Sequence, residues 1–391
     1  MISRNAERKC AILVALCMAV AAAFAACGGG GGDAASSGSS GTPGGGNTKT
    51  STATSKTPTA TKRTTQGVQT PTPTATGIPT VIVIGGDVID AVHRALPGST
   101  VVFPPGPYDP FTLSAADLQG PITLLADVTG TLTETSPAPV VVDARSGPAG
   151  IALSNIPEDR AVVIDGFTLR NSATAGIVVN DSPGTIIQNC TFELNLGDGV
   201  RFNGAAGSLL FNNLIINNSG AGVQAIGTDQ VQIFNNTFYR NADTGISIGS
   251  DSPNAVVKNN IIVENNTNEN QPFGIVVAGD SISGYDGDYN LNYNPDNGAP
   301  YSPMSIAGLH DVTQMPQFIA PTGLYPDFHL APSSPAIDAG DPNTPADLLS
   351  LLQEKTTQAG DTPEPDCGLP DLGYHYLNPT GQVCGALTSA Q

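Results

Sequence analysis

The chain has 391 residues, with 34 acidic and 15 basic side chains and a formal net charge of −19. That acidity repels a phosphate backbone, so nucleic acid is excluded as a partner. The length would hold two or three ordinary domains, but the composition is uneven and the folded part is shorter.

Residues 1–26 read as a cleaved targeting segment. Arg4, Arg8 and Lys9 form a basic start, and Ala11–Ala23 form an apolar run too short to span a bilayer. The run ends in Phe24-Ala25-Ala26-Cys27, which resembles the lipobox of bacterial lipoproteins. That resemblance implies lipidation at Cys27 and an exported protein of the cell envelope. Its membrane contact, at the outer membrane or cell surface, would then run through the lipid anchor only. Residues 27–79 consist largely of Gly, Ser, Thr, Pro and Ala. Such a segment cannot bury enough apolar surface to offset its ordering entropy, which predicts a disordered tether.

From Thr80 onward the charge is one-sided. Of the 34 acidic residues only Glu7 and Asp33 come earlier, so eight basic residues face 32 acidic ones, a balance near −24. An acidic polysaccharide is therefore disfavoured as a ligand unless calcium screens it. Cysteine usage fits an oxidising compartment. Cys10 and Cys17 leave with the targeting segment. Cys367 and Cys384 sit in a loop-rich tail and are expected to pair, while Cys190 reads as a buried small hydrophobe.

An internal repeat dominates residues 80–279. Gly176-Ile-Val-Val, Gly199-Val-Arg-Phe, Gly222-Val-Gln-Ala and Gly245-Ile-Ser-Ile begin at a constant spacing of 23 residues. Gly150 and Gly274 open further copies. Each period holds three short runs with apolar residues two apart, the pattern of half-buried strands. Gly and Asn punctuate the runs, and both tolerate left-handed backbone at tight bends. One period cannot bury its apolar face alone, but stacked coils can. Asn213, Asn236 and Asn260 recur at one turn and predict an inward ladder of amides, with Cys190 in the matching place one coil earlier. A second Asn recurs at Asn171, Asn195, Asn218, Asn241 and Asn265.

This pattern resembles the right-handed parallel β-helix family, which includes pectate lyases, polygalacturonases and alginate epimerases. The resemblance implies an all-β solenoid with three strands per coil. Asp87–Tyr108 is similar to the family's opening, where a short helix caps the open end. Val88, Ile89, Val92 and Leu96 would form its apolar face. Asp327–Asp341 and Pro370–Tyr376 resemble the closing segment of bacterial β-helix proteins, so residues 280–391 are expected to pack on the solenoid. Phe318, Ile319, Leu324, Phe328, Leu330 and Ile337 would be its packing side chains.

In enzymes of this family the substrate lies along the strands that begin with the Gly-Ile signature. Arg201, Gln224 and Ser247 would face outward there and are the candidate binding residues. Asp181, Asp198 and Asp243, with Arg201, are the candidate catalytic groups, because a lyase needs a base near the sugar proton and inverting hydrolysis needs two facing carboxylates. The family's paired aspartates with His and Arg-x-Lys are absent, as is its Trp-bearing motif, since the chain has no tryptophan. Tyr285-Asp-Gly-Asp-Tyr alternates acids as calcium loops do, so Asp286 and Asp288 are the candidate metal ligands and calcium the one cofactor in view. By phase, Phe211, Phe234 and Tyr239 also point outward. They form an alternative binding stripe unless the C-terminal segment covers them.

The sequence therefore favours a surface-anchored, non-catalytic module that binds a polysaccharide or a cell-surface protein. The alternatives are a polysaccharide lyase, epimerase or hydrolase, and a structural or adhesive stalk.

Overall fold

A computed structural model of the chain describes residues 79–145, 147–266, 273–295, 300–323, 325–360, 363–378, 380–382 and 384. The targeting segment, the tether, Cys27 and Leu324 lie outside the described residues. Among those described, no helix is long and apolar enough to cross a membrane.

The fold is a right-handed parallel β-solenoid with three strands per coil. First strands, such as Ala175–Asn180 and Asp198–Asn203, form an eight-stranded sheet. Second strands, such as Leu209–Phe211, form a nine-stranded sheet, and third strands, such as Leu214–Ile216, another of eight. Every pairing within these sheets is parallel, and the sequence period of 23 residues is one step in space: Ala175 pairs with Asp198 and Leu209 with Gln232. The inward residues of all three sheets make one continuous core, including Ile177, Phe192, Phe202, Leu210, Ile215 and Phe238, each fully buried.

The signature glycines serve a purpose other than the one their turn-like placement suggests. Gly176, Gly199, Gly222 and Gly245 are absent from the positive-φ residues. They are glycine because nothing larger fits. A Cβ on Gly222 would lie 2.5 Å from the Gly245 carbonyl oxygen and 2.5 Å from the Phe238 ring. A Cβ on Gly176 would meet the Phe192 ring at 2.7 Å. The first strand starts where it crosses the third strand's core side chain, and only hydrogen leaves room there. The left-handed bends belong to asparagine instead: Asn189, Asn212, Asn235 and Asn259 have φ of 56, 54, 53 and 60°.

Two amide ladders run inside the turns. Asn213 donates to Asn236 at 2.9 Å, Asn236 to Asn260 at 3.1 Å and Asn260 to Asn290 at 3.0 Å. The backbone N–H of Cys190 donates to Asn213 at 2.9 Å, so the ladder ends on the thiol residue without losing that bond. In the second ladder Asn195 donates to Asn218 at 2.8 Å, Asn218 to Asn241 at 2.8 Å and Asn241 to Asn265 at 2.9 Å. Asn171 is not a rung. Ser172 holds that place, its N–H donating to Asn195, while Asn171 turns out at φ 59° to bind Asp143.

The solenoid runs past the 279/280 boundary drawn from the fading repeat. Asp286–Asp288, Leu291–Tyr293 and Tyr301–Ser302 add a further strand to each sheet. The repeat fades because the step between equivalent residues lengthens, to 30 between Asn260 and Asn290, while the pairing register persists. At the other end the helix Val88–Arg94 is capped by Asp87, which accepts from the Asp90 N–H. Its buried face is Val88, Ala91, Val92 and Ala95. Leu96 lies beyond the last turn and is 54% exposed.

The C-terminal segment lies along the second and third sheets. Leu348 and Leu352 of the helix Ala346–Leu352 pack on Ile186, Leu209, Phe211 and Phe234. Phe328, Leu330, Ala336 and Leu372 pack on Ile216, Tyr239, Ile261 and Val263, with Phe318 and Ile337 partly buried beside them. Ile319 stays largely exposed. The left-handed asparagines dock this segment. Asn212 exchanges hydrogen bonds with the backbone of His375, Asn235 donates to the Asp371 carbonyl, and Asn259 binds Thr344 and the Asp341 N–H. Cys367 and Cys384 are disulfide-bonded, and Cys190 is a buried free thiol.

Asn236→Ala should lower stability by about 1–3 kcal/mol, because it strands buried partners on two neighbouring coils. Urea titration of the domain measures this, and an unchanged midpoint would show that the ladder contributes nothing. Phe234→Ala should cost about 3–5 kcal/mol by opening a cavity under the C-terminal helix. Protease resistance of residues 346–352 should fall in step.

Candidate functional site

With two sheets covered, the first-strand sheet is the long open face. Its outward row runs Thr112, Ala152, Val178, Arg201, Gln224, Ser247, Val276 and Ser302 in register from coil to coil. All are partly or fully exposed. The candidate binding residues Arg201, Gln224 and Ser247 are therefore brought together as neighbours in one line, at the ~4.8 Å step of adjacent strands. Most other side chains in the row are short, which keeps the face flat. A second outward row holds Ser114, Ser154, Asn180 and Asn203, also in register. Asn203 donates to Asn180 at 2.8 Å.

Arg201 is the one charged side chain in the first row. Its Nε and Nη2 donate to the same Asp198 oxygen at 2.8 and 2.6 Å. The other Asp198 oxygen accepts from the Ala221 N–H at 2.9 Å. Gly220 leaves room for that carboxylate, since a Cβ there would lie 2.4 Å from Oδ1. Asp198 is thus not an acid on an exposed turn. It opens the strand Asp198–Asn203 and is buried. Burial raises its pKa, Arg201 opposes the rise, and Asp243 adds to it.

Of the remaining catalytic candidates, Asp181 stands away from Arg201, while Asp243 lies close enough to raise the Asp198 pKa. Asp181 follows Asn180, level with Gly204, whereas Asp198 opens its strand. The two are six residues apart along the strand direction, about 20 Å at the usual rise. Asp243 stacks over Gly220 and Gly197, two coils along, through successive backbone hydrogen bonds. Its Oδ1 is buried with no hydrogen-bond partner among the described residues. Both oxygens of Asp198 are hydrogen-bonded within the protein, Oδ2 to Arg201 and Oδ1 to the Ala221 N–H.

The alternative stripe is not a surface. Phe211, Phe234 and Tyr239 are 1%, 4% and 3% exposed beneath the C-terminal segment, and the Tyr239 ring meets Phe328 edge-on at 5.2 Å. The metal candidates are likewise engaged by protein. Asp286 pairs with Lys258 at 2.8 Å. Asp288 lies 2.7 Å from His310 Nδ1 and accepts from the His310 and Tyr289 N–H groups. Burial alone would raise the Asp288 pKa, but these bonds hold it below the usual carboxylate range.

The sequence reading missed a cluster in the closing motifs. Asp338, Asp366 and Asp371 each offer an oxygen within 4.8 Å of the others. They are the described carboxylates best placed to hold a hard cation. His375, fully buried, sits with Nε2 2.8 Å from Asp366 and Nδ1 2.9 Å from the Gly373 carbonyl. Burial and the neighbouring Asp366 raise the Asp371 pKa. The signal was present in Pro335-Ala-Ile-Asp-Ala-Gly and Pro370-Asp-Leu-Gly, but nothing in their spacing said the two would meet.

Residues 149–296 match the model described as right handed beta helix region. No curated protein matches the chain in sequence. Among solved structures it is similar to the pectate lyase Pel9A, at 14% identity and a TM-score of 0.44, over 74% of this chain and 90% of that one. It is also similar to an alginate lyase from Paenibacillus sp., at 16% identity and a TM-score of 0.42, over 57% and 80%. A third is the A-module of the mannuronan C-5 epimerase AlgE6 from Azotobacter vinelandii, at 17% and 0.32, over 55% and 73%.

Because the folded pKa of Asp198 lies above its unfolded value, its contribution to stability is greatest at low pH and is lost as pH rises through the folded pKa. Arg201→Gln removes the group that limits this rise. The variant should be less stable than the parent by about 1–3 kcal/mol at neutral pH. The deficit should shrink as pH falls and Asp198 protonates. Urea midpoints at a series of pH values check this, and a deficit independent of pH would show that the pair carries no charge coupling.

Proposed function

We propose that the protein is an exported, lipid-anchored surface module that binds a polysaccharide along the first-strand face and does no chemistry on it. One observation carries the reading. Asp198, the buried acid beside the outward row, has both oxygens hydrogen-bonded within the protein, one to Arg201 and the other to the Ala221 N–H. Acid–base catalysis on a sugar requires a proton-transferring side chain such as a carboxyl, imidazole, amine or phenol within hydrogen-bond reach of the reacting atom, and the outward row from Thr112 to Ser302 carries none of these. What the face does offer is a flat strip of mostly short side chains, with hydroxyl and amide groups set among alanine and valine at the coil step, a form suited to a linear polymer. The anchor in this reading rests on Cys27 and the apolar run before it. The glycine- and threonine-rich stretch that follows would hold the module away from the membrane.

Ser247→Trp places an indole across the centre of the row. It should weaken polysaccharide binding roughly ten-fold, equivalent to about 1.4 kcal/mol, without moving the urea midpoint. Affinity electrophoresis in polysaccharide gels measures the first quantity. The parent should release neither unsaturated products nor new reducing ends from any polymer it binds. Turnover abolished by Asp198→Asn would replace the binding reading with an enzymatic one.

A further inference from the structure

We propose that the ligand of the first-strand face is a neutral, hydroxyl-rich polysaccharide rather than a uronate or other anionic polymer; this rests on the reading of that face as a glycan-binding surface. Three observations carry it. The first is the state of Arg201. It is the sole cation in the outward row, and Asp198 meets its charge at 2.6–2.8 Å. Asp243 lies close enough to push the Asp198 pKa further up, so the neighbourhood has two carboxylates for one guanidinium. An anionic sugar arriving there finds no net positive charge to offset the loss of its own hydration.

The second observation is the rim. Asp181, Asp251 and Asp280 are exposed where the first strands turn toward the second. These like charges line one side of the face and would repel an anionic chain lying along it.

The third is the chemistry of the second row. Ser154, Asn180 and Asn203 present hydroxyl and amide groups that both donate and accept. A sugar hydroxyl does the same, so each contact can be satisfied in either direction. A carboxylate only accepts, and would leave the amide and hydroxyl oxygens of this row facing it unpaired.

The test uses the folded chain with its disulfide intact, titrated with a glucan, a xylan, a galactomannan and polygalacturonate, in EDTA, at low and high salt. At least one neutral polymer should bind with an affinity that barely changes with salt. Polygalacturonate should bind roughly ten-fold more weakly or not at all at low salt. Asp181→Asn combined with Asp251→Asn removes rim charge, and asparagine accepts the left-handed φ of 45 and 55° at these positions. That variant should bind polygalacturonate more tightly than the parent while its affinity for the neutral polymer stays unchanged. Polygalacturonate binding more tightly than every neutral polymer would overturn the inference and leave the glycan-binding reading standing. Binding to none of the four would overturn that reading as well.

Discussion

The stacked amides in the turns hold the solenoid to one register. A parallel strand of three residues, such as Leu209–Phe211 or Leu214–Ile216, makes few backbone bonds of its own, and a slip by one residue would turn its apolar side chains outward. A buried asparagine removes that freedom. In its own coil it binds a backbone carbonyl, as Asn236 does with Phe234, and it also reaches the carbonyl of Leu210 one coil away. Its oxygen accepts from the next amide and the next backbone N–H together, so any slip would strand several buried polar groups at once. Each such group costs about 1–3 kcal/mol when left unpaired. The core supplies the larger free energy, while the ladders make one arrangement of that core better than its neighbours.

The same bends give the solenoid its outer cover. A left-handed residue turns its side chain away from the core, and asparagine adopts that conformation at low cost. Asn212, Asn235 and Asn259 therefore stand in a line on the surface, each with an amide to spare. The C-terminal segment uses all three. It brings too few clustered apolar residues to fold alone, and it takes its core from the rows of Phe211 and Phe234 on one sheet and Ile216, Tyr239 and Val263 on another. Burying an aromatic side chain of this kind contributes about 1.5–3 kcal/mol. The disulfide between Cys367 and Cys384 encloses the stretch that carries Asp371, Tyr374 and His375, three of the residues that contact or dock on the solenoid.

Covering two faces defines the third. The first-strand sheet is open because the closing segment runs elsewhere, and its chemistry follows from small differences between coils. One coil places an arginine where its neighbours have valine and glutamine, and the same coil buries an aspartate to hold it. A buried carboxylate is costly without a partner, so Asp198 and Arg201 are best understood as one unit. Its outward side presents the unused part of a guanidinium whose charge is already matched.

The periodic features of this protein were readable in its sequence. A spacing of 23 residues, alternating apolar runs and recurrent asparagines specify parallel coils, because each coil repeats the same local problem and solves it with the same residue types. The rungs Asn213, Asn236 and Asn260 and the line of Arg201, Gln224 and Ser247 follow from that phase, and the cap from Val88 follows from its own helical apolar face. Tertiary structure decided what depends on a meeting between distant or irregular segments. The signature glycines owe their identity to a neighbouring strand's core side chain, Phe192, Ile215, Phe238 or Ile262, which no local pattern shows. Asn171 takes the left-handed bend position that Asn217 and Arg240 hold in later coils, and the rung one residue on falls to Ser172. Asp181 and Asp198 seem close along the chain's period, yet they stand at opposite ends of two neighbouring strands. Asp338, Asp366, Asp371 and His375 share a cluster only because the closing segment folds back on itself. Periodicity encodes contacts between equivalent positions, and these contacts join positions that are not equivalent.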